Sequence, residues 1–206
     1  MRCPVPQIKV CLNQVNHFFM QEDLSKAIEV LRNGGTILYP TDTIWGIGCD
    51  ATNAKAINKI YKIKVRSPQK SLILLAENAS MIKEYLENLP EIALEVLDTY
   101  KEPLTIIYEK ARNLPRNLVP DDGTIAIRVP RDEFCLQLIR LLGKPITSTS
   151  ANVSGDPSPV SFSKVSSEIK EAVDYICTTN QTVVNSPKPS TIIKINDDGQ
   201  MNIIRS

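Results

Sequence analysis

The sequence predicts an α/β fold with a mixed sheet, and three observations carry that reading. Short apolar runs of strand length recur at residues 36–39, 72–76, 104–108, 124–129 and 191–195. Between them lie segments with apolar residues every three or four positions, the period of a helix buried on one face. The two kinds interleave without the strict alternation of a doubly wound nucleotide fold, which reads as one domain on a mixed sheet. A length of 206 residues, 42% hydrophobic and 23% charged, suits such a domain and needs no covalent staple.

Each element has its own signal. Residues 1–20 read as an irregular arm or an extra edge strand, and residues 21–206 as the single domain. Asp23 and Ser25 are N-cap candidates for a helix with Leu24, Ala27, Ile28 and Leu31 on one face, stopped by Gly34 and Gly35. The strand at 36–39 ends at Pro40, and Asn53 is placed to cap a helix carrying Ala56, Ile57, Ile60 and Tyr61. Residues 72–76 form a continuous apolar run that suits a buried strand. Pro90 separates helices at 79–89 and 91–100, and strands follow at 104–108 and 124–129. A helix at 133–142 is closed by Gly143, and a strand opens at 145–147. A helix at 163–173, a strand at 175–177 and a final pair at 191–195 and 201–204 complete the order.

Composition excludes several chemistries. The net charge of +1 provides no global field for nucleic acid or membrane, so any basic site must be local. The five cysteines (Cys3, Cys11, Cys49, Cys135 and Cys177) are odd in number and lack C-x-x-C spacing, which argues against a disulfide framework or a cysteine-rich zinc site. His17, the single histidine, lies in a region that reads as a preface to the first helix. Chemistry that needs a histidine pair or a Ser-His-Asp triad is nearly excluded, and one histidine with scattered acids makes no metal-ligand set. No stretch reads as a signal peptide or a membrane span, so a soluble chain in the reducing cytoplasm is expected. No phosphate-binding P-loop is present, and Gly46-Ile47-Gly48 lacks the third glycine of a dinucleotide fingerprint.

Four polar clusters remain, each at a predicted strand end. Thr41, Asp42 and Thr43 follow Pro40 and precede Trp45-Gly46, where a turn satisfying its own backbone and a ligand site are equally good readings. Lys62, Lys64, Arg66 and Lys70 gather at the end of the second helix. There the helix dipole favours cations, and Ser67-Pro68 turns the chain out so that Arg66 and Lys70 can grip phosphate. From Ser148 to Ser154, five of seven side chains are hydroxyls or an amide, a candidate cradle for an anion or a nucleobase. Lys188-Pro189-Ser190-Thr191 presents two hydroxyls at the start of a strand.

Taken in order, Y-P-T-D-T-x-W-G-I-G, K-x-R, P-L-T, R-x-P, S-T-S-A-N-x-S-G and P-S-T-I-I span nearly the whole chain. This ordered set resembles the YrdC/TsaC family of threonylcarbamoyl-AMP synthases in its short, single-domain form. The resemblance implies an open twisted sheet with flanking helices around a concave, basic pocket. It implies Lys64, Arg66 and Lys70 on the ATP triphosphate, with Lys64 and Arg66 the catalytic cations. Ser150, Asn152, Ser158 and Arg205 would complete the nucleotide site, and Thr43, Arg128, Ser148 and Ser190 would surround L-threonine. The chain departs from the family's pattern at Ser67, Ser71, Leu75 and Glu102. The implied reaction joins L-threonine, bicarbonate and ATP into threonylcarbamoyl-AMP and pyrophosphate, with Mg2+ carried by ATP and no protein metal site. The adenylate would serve threonylcarbamoyladenosine formation in tRNA. Two rival readings share the fold: a double-stranded RNA-binding or ribosome-maturation module, disfavoured by the near-neutral charge, and a paralogue with another carbamoyl acceptor.

Overall fold

Helix α1 (Val5–Arg32) opens the chain and runs for 28 residues in the computed structural model, which describes residues 5–65, 72–183 and 190–205, with side chains from residue 18 onward. The expected irregular arm at 1–20 is therefore helical from Val5. Pro6 falls in the first turn, where its missing N–H would have no helical partner anyway, so it does not break the helix. Asp23 is consequently no N-cap. It faces inward from the middle of α1, nearly fully buried, and its carboxylate accepts hydrogen bonds from Tyr175 Oη (2.7 Å), Thr178 N (3.0 Å), Thr179 N (2.7 Å) and Thr179 Oγ1 (2.6 Å). Four donors offset the cost of burying that carboxylate and tie a distant loop to the helix.

The remaining elements are β1 (Ile37–Tyr39), β2 (Gly46–Gly48), α2 (Ala54–Ile63), β3 (Ile73–Leu75), α3 (Ala79–Glu84), α4 (Glu91–Thr99), β4 (Leu104–Tyr108), β5 (Ile125–Arg128), α5 (Glu133–Leu142), β6 (Ile146–Ser150), α6 (Ser167–Ala172), β7 (Tyr175–Ile176), β8 (Thr191–Ile195) and β9 (Met201–Arg205). Helix ends follow their caps. The Asn53 side chain accepts from Lys55 N and Ala56 N, the Asp132 side chain accepts from Cys135 N, and Gly143 closes α5 in the left-handed conformation at φ 73°.

Among the described residues the strands form a nine-stranded sheet in the order β7-β1-β2-β6-β3-β5-β4-β8-β9. Pairs β1–β7, β3–β5 and β4–β8 are parallel and the other neighbours antiparallel, so the sheet is mixed as expected. Alternation along the strands separates two cores. Leu38 and Leu74 pack on one face with Ile57 and Ile60 of α2, Ile82 of α3 and Ile169 of α6. Ile37, Tyr39 and Leu75 pack on the other with Leu24, Leu31, Phe134, Leu138 and Ile139 of α1 and α5.

Strand β2 is the element the sequence hides. A Gly-Ile-Gly triplet has little strand propensity, and pairing with β1 and β6 creates the strand. Gly48 is obligatory there, because a Cβ would sit 2.3 Å from the Thr147 carbonyl oxygen. The serine cluster is likewise not a loop from its start: Ser148–Ser150 belong to β6.

Candidate active site

Helices α1 and α5 cover Tyr39, Leu75 and Ile146 but leave the rest of that sheet face open. Register makes the opening a cleft. Ser148 on β6 lies opposite Ile73 on β3, which lies opposite Ala126 on β5, which lies opposite Ile107 on β4. Gly46 and Ser150, also paired, extend the row by two small residues. The result is a cleft of about 410 Å³ with a small-residue and isoleucine floor, walled by Thr41, Thr43, Arg128, Ser158, Ser190 and Arg205.

The turn after β1 builds one wall. Pro40 ends the strand, and the Thr41 hydroxyl accepts from Thr43 N (3.1 Å) and Ile44 N (3.3 Å) while reaching the Ile44 carbonyl at 2.8 Å. This local closure leaves Thr43 Oγ1 and the Asp42 carboxylate turned toward Arg128. Arg128 Nη1 donates to Thr43 Oγ1 at 3.1 Å, and Nη2 is ion-paired with Asp42. The guanidinium is almost wholly buried, and its Nε–H has no hydrogen-bond partner among the described residues. A buried donor without an acceptor is costly, so this guanidinium carries one unmet hydrogen bond beside the cleft.

Behind this pair, burial holds the Asp132 carboxyl above the ordinary carboxylate range and the Asp42 charge adds to it, while its bond from Cys135 N and the Arg128 cation oppose the shift. Burial also pushes the Cys135 thiol well up, and the thiol donates to the Pro40 carbonyl at 3.4 Å. The Cys49 thiol, buried on the other side of β2, is pushed up to about 12, again by desolvation first. Neither thiol is a nucleophile near neutral pH.

At the far end, Ser190 is buried with its hydroxyl 2.8 Å from Thr105 Oγ1, and its carbonyl accepts from Arg205 Nη2 at 2.8 Å. Strand β9, although exposed along its whole length, thus carries Arg205 onto the cleft.

Of the residues expected at a site, Thr43, Ser148, Ser150, Ser158, Arg128, Ser190 and Arg205 come together around this one cleft. Arg66 and Lys70 lie outside the described residues, as do Lys188 and Pro189. Asn152 borders a neighbouring cavity that shares Ser158 rather than the cleft itself. Lys64, expected on the triphosphate, is almost fully buried and gives its ammonium to Ser150 and Asn152, and it is not among the residues that line the cleft. Sequence reasoning missed the floor, Gly46, Ile73, Ala126 and Ile107, because only strand register aligns these residues.

The Sua5/YciO/YrdC family model, described as "Telomere recombination", matches residues 29–206. A threonylcarbamoyl-AMP synthase of Pseudoalteromonas translucida is 32% identical over 175 residues, 84% of this chain and 92% of that protein. One from Pseudomonas aeruginosa is 34% identical over 151 residues, 73% of this chain and 81% of that protein. Among solved structures, E. coli YciO superposes with a TM-score of 0.79 at 25% identity, covering 90% of this chain and 89% of that one. P. abyssi Sua5 complexed with L-threonine superposes with a TM-score of 0.73 at 28% identity, over 83% of this chain. The chain spans about half the length of that Sua5, the match covering 50% of it. With the family model matching from Glu29 to Ser206 and relatives at 32% and 34% identity over most of the chain, the chain belongs to the Sua5/YciO/YrdC family.

Proposed function

We propose that the chain is a threonylcarbamoyl-AMP synthase, which joins L-threonine, bicarbonate and ATP with release of pyrophosphate. The observation that carries this reading is the Arg128 guanidinium on the lining of a cleft that also bears the Thr43, Ser148 and Ser190 hydroxyls, a set that suits a small carboxylate with a polar side chain. Two similarities support it: relatives named for this activity, and a Sua5 structure holding L-threonine. The Arg128 fork takes the threonine carboxylate, and Thr43, Ser148 and Ser190 surround the amino acid. Ser150 and Ser158 face the nucleoside, while Arg66, Lys70 and Arg205 share the phosphates. Net positive charge at the cleft arises because the Arg128 charge is matched by Asp42 and that of Arg205 has no acid beside it on the lining.

The chemistry needs no side-chain nucleophile. The threonine nitrogen forms a C–N bond with the bicarbonate carbon, and water leaves, giving a carbamate. A carbamate oxygen then bonds to the α-phosphorus as the α–β P–O bond breaks, and the electron pair departs on pyrophosphate. Positioning accounts for much of such a rate, cations stabilise charge developing on the leaving group, and a walled cleft limits hydrolysis of the carbamate. Mg2+ would be carried in on ATP, where it would neutralise part of the phosphate charge. The adenylate is then consumed by machinery that transfers the threonylcarbamoyl group to tRNA. No helix among the described residues is long and apolar enough to cross a membrane.

Pyrophosphate release is the test. It should require ATP, L-threonine and bicarbonate together, with a carbamoyl-adenylate as the other product. Equal release with threonine omitted, or with another amino acid in its place, refutes the assignment.

A further inference from the structure

The cation expected on the triphosphate has a different environment, and that environment gives it a different task. Lys64 caps the C-terminus of α2, and the next residue, Val65, turns the chain outward at φ 47° and is itself exposed. The Lys64 side chain goes the other way, into the protein. Its Nζ meets the Ser150 carbonyl (2.5 Å), the Asn152 carbonyl (2.5 Å), Asn152 Oδ1 (3.0 Å) and Ser150 Oγ (3.3 Å). Its own carbonyl accepts from Ser154 N at 3.1 Å. An ammonium has three protons to give, and these four oxygens of one loop already claim them.

Asn152 is equally committed. Its Oδ1 faces Lys64, and its Nδ2 donates to the Asp156 carbonyl at 2.5 Å. The same loop is tied to the start of β2, since Ala151 N donates to the Trp45 carbonyl (2.9 Å) and Trp45 N to the Pro159 carbonyl (3.3 Å). The segment from Ser150 to Pro159 is therefore wound about a buried cation, with Ser150 and Ser158 presented on its cleft side. For Lys64 to reach a phosphate it would have to abandon two backbone carbonyls and release the loop that shapes the cleft wall.

We propose that Lys64 and Asn152 are positioning residues: the buried ammonium is the core of a loop lock that sets Ser150 and Ser158 for the nucleoside half of ATP. Phosphate binding falls to other cations. The inference rests on the nucleotide reading of the cleft given above. It predicts that the two halves of ATP respond differently when the lock is opened.

The experiment measures adenosine, tripolyphosphate and ATP as competitors of a fluorescent ATP analogue on the full chain. Lys64→Met keeps all but the last atom of the side chain's length and removes its charge and donors. The inhibition constants of adenosine and ATP should rise together, by about tenfold or more, while that of tripolyphosphate stays within about twofold. Asn152→Ala opens the lock without unpairing the ammonium from the backbone carbonyls. It should show the same selectivity with a smaller factor, and it decides the matter if Lys64→Met does not fold. Emission from Trp45, the chain's single tryptophan, should shift in both ligand-free variants, because the loop is bonded to its backbone.

A loss confined to tripolyphosphate and ATP, with adenosine unchanged, overturns the proposal and assigns Lys64 to the phosphates. So does weaker adenosine binding with unshifted Trp45 emission, which means direct contact with the ligand. An unaltered protein that binds neither ATP nor adenosine refutes the nucleotide reading itself, and the proposal with it.

Discussion

On the proposed function, replacing Arg128 by lysine should separate threonine recognition from everything else the cleft does. In the folded protein Nη1 of the guanidinium donates to Thr43 and Nη2 pairs with Asp42, while Nε has no partner among the described residues. A lysine keeps a positive charge for Asp42, so the carboxylate is not stranded and the fold should hold, but a single ammonium cannot reproduce the fork. The lost interaction is a charge-assisted hydrogen bond from a buried donor to the threonine carboxylate, worth roughly 1.5–3 kcal/mol. At about tenfold per 1.4 kcal/mol, the KM for threonine should rise by roughly 10- to 150-fold. Because nucleotide contacts come from other walls of the cleft, the dissociation constant for ATP should change by less than about twofold. Titrating threonine in a pyrophosphate-release assay, beside ATP binding by competition, reads both quantities. A threonine KM unchanged in Arg128→Lys, or an equal loss of ATP affinity, refutes the carboxylate assignment.

Two further outcomes test the surroundings of the cleft. Asp132→Asn preserves an oxygen to cap α5 but cannot ionise. Since burial raises the Asp132 carboxyl above its ordinary value, the folded chain holds that proton more tightly than the unfolded chain, so this group's contribution to stability falls as pH rises through the carboxylate range. The variant should therefore gain on the unaltered protein in urea melts as pH rises above the ordinary carboxylate value, and a pH-independent difference would contradict the burial of that charge. The glycines of β2 should behave oppositely. Gly48→Ala forces a Cβ to 2.3 Å from the Thr147 carbonyl, an overpacking cost of about 1–3 kcal/mol that lowers the melting temperature by several degrees. Gly46→Ala meets its neighbours only at 3.5 Å, so it should melt like the unaltered protein yet intrude on the cleft and weaken ligand binding. Equal melting of the two variants would refute the close approach at Gly48.

Caps and periodicity were legible because they act over a few residues. Asn53, Asp132 and Gly143 mark helix ends through their own side-chain or backbone chemistry, and the apolar strands at β3, β4 and β5 declare themselves by continuous burial. Asp23 was misread for the same reason. It has the composition of a cap, but its partners, Tyr175, Thr178 and Thr179, lie far along the chain, so its true role is tertiary. Residues 1–20 read as an irregular arm or edge strand, yet α1 begins at Val5 with Pro6 in its first turn, a place for proline that local reasoning cannot recognise without knowing where the helix starts.

The polar clusters were likewise visible as residue types, and their ordered motifs carried the family. By itself the sequence determined the mixed α/β class, most element boundaries and the set of hydroxyl and cationic side chains that supply the chemistry. Tertiary structure alone decided which of them face one cleft. Sheet register placed Ser148, Ile73, Ala126 and Ile107 in one row, and it made a strand of Gly46–Gly48 that no propensity foretells. It also decided that Lys64, two residues from Arg66 and alike in charge, turns inward to hold a loop. The physical reason is the same in each case. Composition fixes what a side chain can bond to, but the direction it points depends on partners that only the packed chain brings within reach.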